Sequence, residues 1–201
     1  MHKIAVDVVL IPPDHVIRLA VDINKSFPET SDKNYVLDPK TCVPHVTLCM
    51  GLVEREQLGE IGTRLSALTN TVSSLNLTIT HVETSAISSG EIMSGLAIKK
   101  TPELQRLHEM VLDEMNPLFT YDGVETTMFY TPPPIREVPM FWGLGLAKTS
   151  VRERYSPHIT LGIGVPKQEI TPISFTASRL ALCHLGNYCT CRDTLWSASF
   201  L

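Results

Sequence analysis

The sequence lacks an excess of positive charge. Its 201 residues carry 17 Lys and Arg against 21 Asp and Glu, which gives a formal net charge of −4. A broad nucleic-acid scaffold would show a basic stripe and a high isoelectric point, so the acidic balance argues against that class. A small anionic ligand held by a few local groups is still compatible with this charge.

Long hydrophobic runs and targeting signals are also missing. No apolar stretch approaches the roughly eighteen residues of a membrane span. At the N-terminus Asp7 interrupts the apolar run, Pro12 and Pro13 end it, and no small-residue cleavage site follows. This segment is therefore predicted to be a strand rather than a signal peptide. We expect a cytoplasmic protein that does not associate with a membrane.

The cysteines lack the C-x-x-C spacing of a zinc knuckle or a redox motif. There are five of them, an odd number: Cys42, Cys49, Cys183, Cys189 and Cys191. Cys189 and Cys191, two residues apart, would share one face of a strand. We interpret the five as buried, reduced thiols of a cytosolic protein.

The composition and the hydrophobic periodicity indicate one globular α+β protein. Apolar residues make up 43% of the chain and charged residues 19%, and a chain of this length buries roughly 70% of its unfolded surface without disulfides or metals. The order of elements is βαβαββα followed by strands, which is typical of sheets covered on one face by helices. Strands are predicted at 4–10, 43–51, 75–84, 92–99, 141–147 and 157–165, with two more within 173–198; helices are predicted at 14–27, at 54–68 and after Thr101.

Three local signals refine this outline. Thr101 and Pro102 suit the N-cap and the first position of a helix. Gly186 and Asn187 suit a hairpin turn between the last two strands. Residues 116–139 lose the periodicity and are rich in Thr, Pro and aromatic side chains, which predicts a long functional loop or lid.

An eight-residue block occurs twice in the chain. Residues 44–51 read PHVTLCMG and residues 157–164 read PHITLGIG, with five identities at a separation of 113 residues. On a strand, His45 and Thr47 would point to one face, and His158 and Thr160 would do so in the second copy. Each block then presents an imidazole and a hydroxyl together. The alternative is that these are ordinary half-buried polar residues on two unrelated strands, which the repetition disfavours.

Two His-Thr pairs suit in-line displacement at a phosphodiester. One neutral imidazole takes a proton from the attacking hydroxyl or water, and one imidazolium donates a proton to the departing oxygen, since an unperturbed pKa of about 6.5 allows both forms near neutrality. The threonine hydroxyls would donate to the phosphate oxygens as negative charge develops on them. Two histidines with no obvious third ligand make a poor zinc site. We therefore expect no metal and no cofactor.

With these blocks the sequence resembles the two-histidine phosphoesterase superfamily, which includes 2′,5′ RNA ligase-like proteins and cyclic phosphodiesterases. The hallmark of the family is two H-x-[TS] motifs, present here as His45-Val46-Thr47 and His158-Ile159-Thr160. The resemblance implies a bilobal, pseudo-twofold fold of two ferredoxin-like antiparallel sheets with outer helices, a single two-lobed domain over residues 1–201, and a central cleft where both motifs meet. The mildly acidic charge, unlike that of basic RNA-processing members, favours a nucleotide-sized substrate.

Six further side chains are weaker candidates for substrate binding. Arg152 and Arg154 precede the second motif and could attract a phosphate, or they could lie on a solvated loop. Tyr155 could stack on a base or pack in the core. Three residues flank the proline-rich segment and could form a base-binding lid: Tyr130, Arg136 and Trp142. We expect His81 and His108, by contrast, to be structural.

Two hypotheses of different classes follow. The first is a monomeric, metal-independent phosphoesterase that cleaves a 2′,3′-cyclic phosphate or a 2′,5′-linkage in a nucleotide or short oligonucleotide. In it His45 and His158 share the acid and base roles, in an order that the sequence leaves open, and Thr47 and Thr160 bind the phosphate. The second is a nucleotide- or RNA-binding module with the same fold and no turnover. The complete set of four polar residues favours the enzyme.

Overall fold

The described residues form two antiparallel four-stranded sheets and three α-helices. A computed structural model describes residues 2–27, 35–87, 90–132, 144–145, 148–149 and 151–201. The α-helices are α1 (Asp14–Lys25), α2 (Leu58–Thr69) and α3 (Pro102–Met115). The strands are β1 (Lys3–Ile11), β2 (Val46–Glu54), β3 (Leu75–Ala86), β4 (Ile92–Ile98), β5 (His158–Ile163), β6 (Ile173–Ala177), β7 (Arg179–Leu185) and β8 (Cys191–Ser199).

The strand order places both motif-bearing strands at sheet edges. The first sheet runs β2-β1-β7-β8 and the second runs β5-β4-β3-β6, and all pairs described are antiparallel. β2 and β5 are therefore equivalent edge strands of two equivalent sheets. The α+β class and the two-sheet architecture expected from the sequence are confirmed.

Hydrophobic spacing explains why these segments adopt these structures. Eight of the nine residues of β1 are buried, as expected for a central strand covered on both faces. The buried face of α3 repeats every three or four residues at Leu104, Leu107, Val111 and Met115, which is the spacing of one helix face. The predicted start of α3 is confirmed, since the Thr101 hydroxyl accepts from the Leu104 amide at 3.2 Å.

Helices α1 and α3 pack against the two strands that contain the motifs. α3 packs against β2 of the first sheet, whereas α1, which follows β1 of the first sheet, packs against β5 of the second. Each motif strand thus lies against a helix.

The C-terminal strands differ from the prediction. Instead of two long strands there are three, because the chain leaves the second sheet after β6 and enters the first at β7, with only Ser178 between them. The predicted two-residue turn at Gly186–Asn187 is wrong. The connection to β8 is a longer loop, in which Tyr188 and Cys189 have positive φ angles of 55° and 56°.

The interpretation of all five cysteines as reduced thiols is also wrong. Cys183 and Cys191 form a disulfide, because pairing of β7 with β8 brings their Cα atoms to 5.3 Å, a separation suited to such a bond. Cys42, Cys49 and Cys189 are free thiols. Cys189 lies in the loop before β8, so it does not share a strand face with Cys191.

Two other expectations have different outcomes. Most of the predicted strand over 141–147 lies outside the described residues, and Leu144 and Gly145, which are described, are helical rather than extended. No helix in the described ranges has the length and apolar character needed to cross a bilayer. The cytoplasmic location stays a prediction.

Candidate active site

The two repeated blocks lie on neighbouring strands. β2 and β5 approach each other within 8 Å between Cα atoms. His45 directly precedes β2 and Thr47 is its second residue, while His158 and Thr160 are the first and third residues of β5. The two imidazoles are close enough for charge on the His158 ring to lower the pKa of His45. The structure thus brings the four motif side chains into one region.

His45 is held in a buried position with a defined tautomer. Its Nδ1 lies 2.7 Å from the Val43 carbonyl oxygen; because a carbonyl only accepts, Nδ1 carries the proton and Nε2 of the neutral ring has the free lone pair. Only 9% of the side chain is exposed. Burial, followed by the smaller effect of His158, lowers the pKa of His45 from 6.5 to about 4, although the Val43 hydrogen bond opposes this shift. His45 is therefore a neutral imidazole near pH 7.

His158 has the same anchor but a different environment. Its Nδ1 donates to the Ser156 carbonyl at 2.9 Å, again two residues before the histidine. The ring is 44% exposed, and its Nδ1 lies 3.8 Å from a carboxylate oxygen of Glu83 on β3. Gly95 on β4 lies beneath this ring, and a Cβ there would sit 3.4 Å from His158 Cδ2. His158 is therefore more exposed than His45 and has a carboxylate nearby.

Asp7 is a site residue that the sequence analysis did not propose. It lies on β1 beside β2, is fully buried, and its Oδ2 accepts a hydrogen bond from the Thr47 hydroxyl at 2.6 Å. The same oxygen is 3.6 Å from His45 Nε2. Burial raises the pKa of Asp7 well above its usual value, and the Thr47 hydrogen bond only partly opposes this. A carboxyl in the middle of an apolar strand was the sequence signal for this residue.

Tyr35 has the corresponding place behind the second motif. It is buried, and its hydroxyl interacts with the Thr160 side chain. Burial, followed by the influence of Cys42, raises the pKa of this phenol far above its usual value, so it stays protonated. Each motif threonine is thus backed by a buried acidic group, a carboxyl for Thr47 and a phenol for Thr160. No sequence pattern distinguished Tyr35 from the other aromatic residues.

A β-bulge follows each motif threonine. The β1–β2 register skips Leu48, and the β4–β5 register skips Leu161, so both leucines lack the regular ladder pairing. His108 of α3 donates from Nδ1 to the Leu48 carbonyl at 2.6 Å, and Asn24 of α1 donates to the Leu161 carbonyl at 2.8 Å. The two packed helices therefore satisfy the carbonyls that the bulges release, and this fixes the motif strands.

The structure favours core packing rather than substrate stacking for Tyr155. The side chain is 6% exposed, its ring stacks on His108 with centroids 4.0 Å apart, and its hydroxyl donates to the Thr47 carbonyl at 2.9 Å. One ring face and the hydroxyl are therefore already occupied. Tyr155 therefore supports β2 from inside the protein, which is the second of the two roles considered for it.

The other secondary candidates have mixed outcomes. Arg152 forms an ion pair with Asp113 of α3 at 2.7 Å, so it is held on the helix rather than free for a phosphate. Arg154 is exposed. The half-buried Tyr130 lies edge-on to His184 of β7 at 5.8 Å. Arg136 and Trp142 lie outside the described residues.

The two histidines expected to be structural are accounted for without chemistry. His108 is buried, and besides its Leu48 bond its Nε2 accepts from the Arg152 backbone amide at 2.9 Å. His81 is exposed on β3 and hydrogen-bonds the neighbouring Thr80 hydroxyl.

The motif region was also compared with possible metal sites and with the surface cavity of the protein. Across the described ranges, no group of three or more His, Cys, Asp or Glu side chains is placed to hold a metal ion. A surface cavity of about 510 Å³ is lined by residues 71–76 and by Glu103, Arg106, Leu107 and Met110 of α3. None of its lining residues belongs to either motif.

The fold is similar to that of solved phosphoesterase structures. E. coli LigT in complex with 3′-AMP has 16% sequence identity and a TM-score of 0.54, over 100% of this chain and 99% of LigT. TT0787 of Thermus thermophilus has 14% identity and a TM-score of 0.58, over 98% of each chain. A further structure described as a phosphoesterase has 16% identity and a TM-score of 0.54, over 99% of each chain.

These neighbours share the overall fold of this chain, and it is the two-sheet fold that the sequence resemblance implied. Comparison with protein-family models and with curated protein sequences gave no match. At such low identity the likeness establishes the architecture, and the activity has to be argued from the site.

Proposed function

We propose that this protein is a phosphodiesterase that cleaves a cyclic or 2′-linked nucleotide phosphate by two-histidine acid–base catalysis. The observation that carries the proposal is the pairing of two anchored imidazoles in different electrostatic environments, each accompanied by a threonine on an adjacent edge strand. Both rings bond a carbonyl through Nδ1 and so keep Nε2 for proton transfer. In-line displacement needs one proton acceptor and one proton donor at the same phosphorus.

The different environments favour distinct roles for the two histidines. His45 is buried and neutral, so its Nε2 lone pair serves as the general base for the attacking water. His158 is half exposed beside Glu83, and we assign it the role of general acid, which donates a proton to the departing oxygen. Thr47 and Thr160 are the hydroxyl donors that bind the non-bridging phosphate oxygens as charge develops there.

A nucleotide-sized substrate is supported by charge and by structural likeness. The chain has a formal net charge of −4, which disfavours a long polyanion held by a basic surface. The similar fold of E. coli LigT has been solved with 3′-AMP, with ATP, with NADP+ and with phosphate. By analogy we assign nucleotide phosphates to the region where the two motifs lie close together. The alternative is a module that binds such a nucleotide without turnover.

A substrate panel tests the proposal. Purified protein in EDTA is assayed against 2′,3′-cyclic mononucleotides, 2′,5′-linked oligoadenylate and cyclic dinucleotides. We expect product from at least one of the first two substrates. Binding without product from any of them would favour the binding module.

Variants of the two histidines test the mechanism. We expect His45→Ala and His158→Ala each to reduce kcat by at least about 100-fold, because one proton transfer is lost. His81→Ala is the matched control: it also removes an exposed strand imidazole but should leave kcat unchanged. Full activity in both motif variants would reject the mechanism.

A further inference from the structure

The two motif threonines differ in the chemistry of the group behind them. Tyr35, behind Thr160, is a phenol that stays protonated and can donate a hydrogen bond. Asp7, behind Thr47, is a carboxyl that donates only when it carries a proton. The 2.6 Å separation between Thr47 Oγ1 and Asp7 Oδ2 suits either direction of the hydrogen bond. The protonation state of Asp7 therefore decides where the Thr47 proton points.

The surroundings of Asp7 disfavour a charge. The carboxyl is fully buried, and its Oδ1 has no hydrogen-bond partner among the described residues. An ionised carboxylate there would have an unsatisfied oxygen in a low-dielectric environment, which is strongly unfavourable. As a carboxylic acid, Asp7 needs only one partner for its O–H, and Thr47 Oγ1 is in place to accept it.

The titratable groups that face Asp7 from the neighbouring elements do not supply a stable positive charge. β2 contributes Cys49, and His45 directly precedes that strand. The loop before β8 contributes Cys189, and the loop before β5 contributes Tyr155. Burial raises the pKa of both thiols and of the phenol, so these three are neutral. On β7, Cys183 pairs with Asp7 and is in the disulfide. His45 is the cation-forming group in this set, and burial keeps it neutral as well.

An ionised Asp7 would oppose phosphate binding. A carboxylate only accepts, so the Thr47 hydroxyl would direct its single proton to Asp7 and present oxygen lone pairs to the anionic substrate. The carboxylate would also repel the phosphate across a poorly screened distance. A protonated Asp7 reverses both effects, since it donates to Thr47 and leaves the Thr47 proton for the phosphate. Tyr35 stays protonated at all moderate pH values and can donate to Thr160 in the same way.

We propose that Asp7 is a positioning residue for the phosphate. As a carboxylic acid, Asp7 donates a hydrogen bond to Thr47 Oγ1 and thereby turns the Thr47 hydroxyl proton toward a phosphate oxygen. This inference rests on the proposed function, because it takes the motif threonines as phosphate ligands. It adds a pH dependence to the site, because substrate binding weakens as Asp7 ionises.

The first test measures Asp7 in the free protein and does not depend on any activity. The side-chain carboxyl carbon is followed by 13C NMR across pH, and its signal is assigned by its absence from Asp7→Asn. We expect the acid form to persist at pH values at which an unperturbed aspartate is ionised. A titration midpoint at or below about 4, the value of an unperturbed aspartate, would overturn the proposal whether or not the protein is an enzyme.

The second test compares the pH dependence of KM and kcat with 2′,3′-cyclic AMP in the wild type and in Asp7→Asn. This substitution is chosen because the amide that it introduces can donate to Thr47 at every pH. We expect the wild-type KM to rise at least fivefold as Asp7 ionises, the Asp7→Asn KM to stay constant, and kcat to remain within about threefold of wild type. An unchanged pH dependence of KM in Asp7→Asn, or a tenfold loss of kcat at all pH values, would overturn the proposal.

Two controls separate positioning from general stability. Ser94→Ala removes a buried hydroxyl from the second sheet, where it donates to the Gly164 carbonyl, and it should not alter the pH dependence of KM. In a Thr47→Val background, Asp7→Asn should have no further effect on KM, because Asp7 acts through Thr47. If the wild-type protein turns over no substrate, the proposed function fails, and the NMR titration still decides the state of Asp7.

Discussion

The buried, neutral state of His45 predicts a specific loss of stability in acid. The pKa of His45 is lowered from 6.5 to about 4 in the folded protein. A histidine with a depressed folded pKa stabilises the fold fully above the unfolded value, and this stabilisation is lost as the pH falls from about 6.5 toward 4. At about 1.4 kcal/mol per pKa unit, acidification from pH 7 to pH 4 should remove about 3 kcal/mol.

The perturbation that isolates this effect is His45→Asn. The asparagine amide nitrogen replaces Nδ1 as the donor to the Val43 carbonyl, but it does not titrate. Urea unfolding at pH 7 and pH 4, followed by circular dichroism, gives the free energy of unfolding of each protein. The wild type should lose about 3 kcal/mol more than His45→Asn between the two pH values.

The matched control is His158→Asn, which changes the equivalent residue of the second motif. The His158 side chain is 44% exposed, and its charge contributes less than burial to the lowered pKa of His45, so the variant should retain most of the wild-type pH dependence. Other titrating groups, including Asp7, are present in all three proteins and largely cancel. A pH-independent difference between the wild type and His45→Asn would refute the buried, neutral imidazole.

Three further predictions follow from the structure. With the first substrate that the panel identifies, activity should rise with pH through about 4, because His45 must lose its proton to act as the base. A rise centred near 6.5 in the pH–rate profile would contradict this prediction. Asn24→Ala should lower the free energy of unfolding by about 2–4 kcal/mol in urea titrations. The Asn24 side chain donates to the backbone carbonyls of Tyr35 and Leu161 and accepts from the Leu37 amide inside the protein. A loss below about 1 kcal/mol would show that these backbone groups find other partners. Thr101→Ala should remove the α3 cap and cost about 1 kcal/mol, or about 2–4 °C in Tm by calorimetry; an unchanged Tm would mean that the cap contributes nothing.

Short-range patterns predicted most of the secondary structure. Apolar residues spaced as in α2 and α3 indicated helices because one helix face repeats every three to four residues. Thr101 and Pro102 indicated where α3 begins. The repeated block indicated two equivalent strands. Each of these signals lies within a few residues of chain, where local geometry controls the outcome.

The features that the sequence did not predict depend on distant pairings. Asp7 meets Thr47 across 40 residues, and Asn24 meets Leu161 across 137. The disulfide depends on the register of β7 with β8, which the predicted hairpin turn at Gly186–Asn187 misplaced. Such contacts follow from sheet order and bulge position, and neither can be derived from hydrophobic periodicity alone.

The sequence revealed some residues of the candidate site and not others. The histidines and threonines were identified because their motif is repeated, whereas the residues that set their protonation are single and inconspicuous in the sequence. Asp7 was visible only as a polar interruption of an apolar strand, and Tyr35 as one aromatic residue in a polar loop. Their significance arises from burial, which changes the pKa of both groups.

The passage of the chain from one sheet to the other at Ser178 affects how the protein is made on the ribosome. β1 lies between β2 and β7, so the strand that carries Asp7 has an open edge until residues 179–185 are synthesised and paired. When both motifs have already been synthesised, the nascent chain therefore still lacks β7, the strand that pairs with the second edge of β1. Assembly of the site waits for β7, which follows both motifs in the chain, and β1 must avoid pairing with other chains until then.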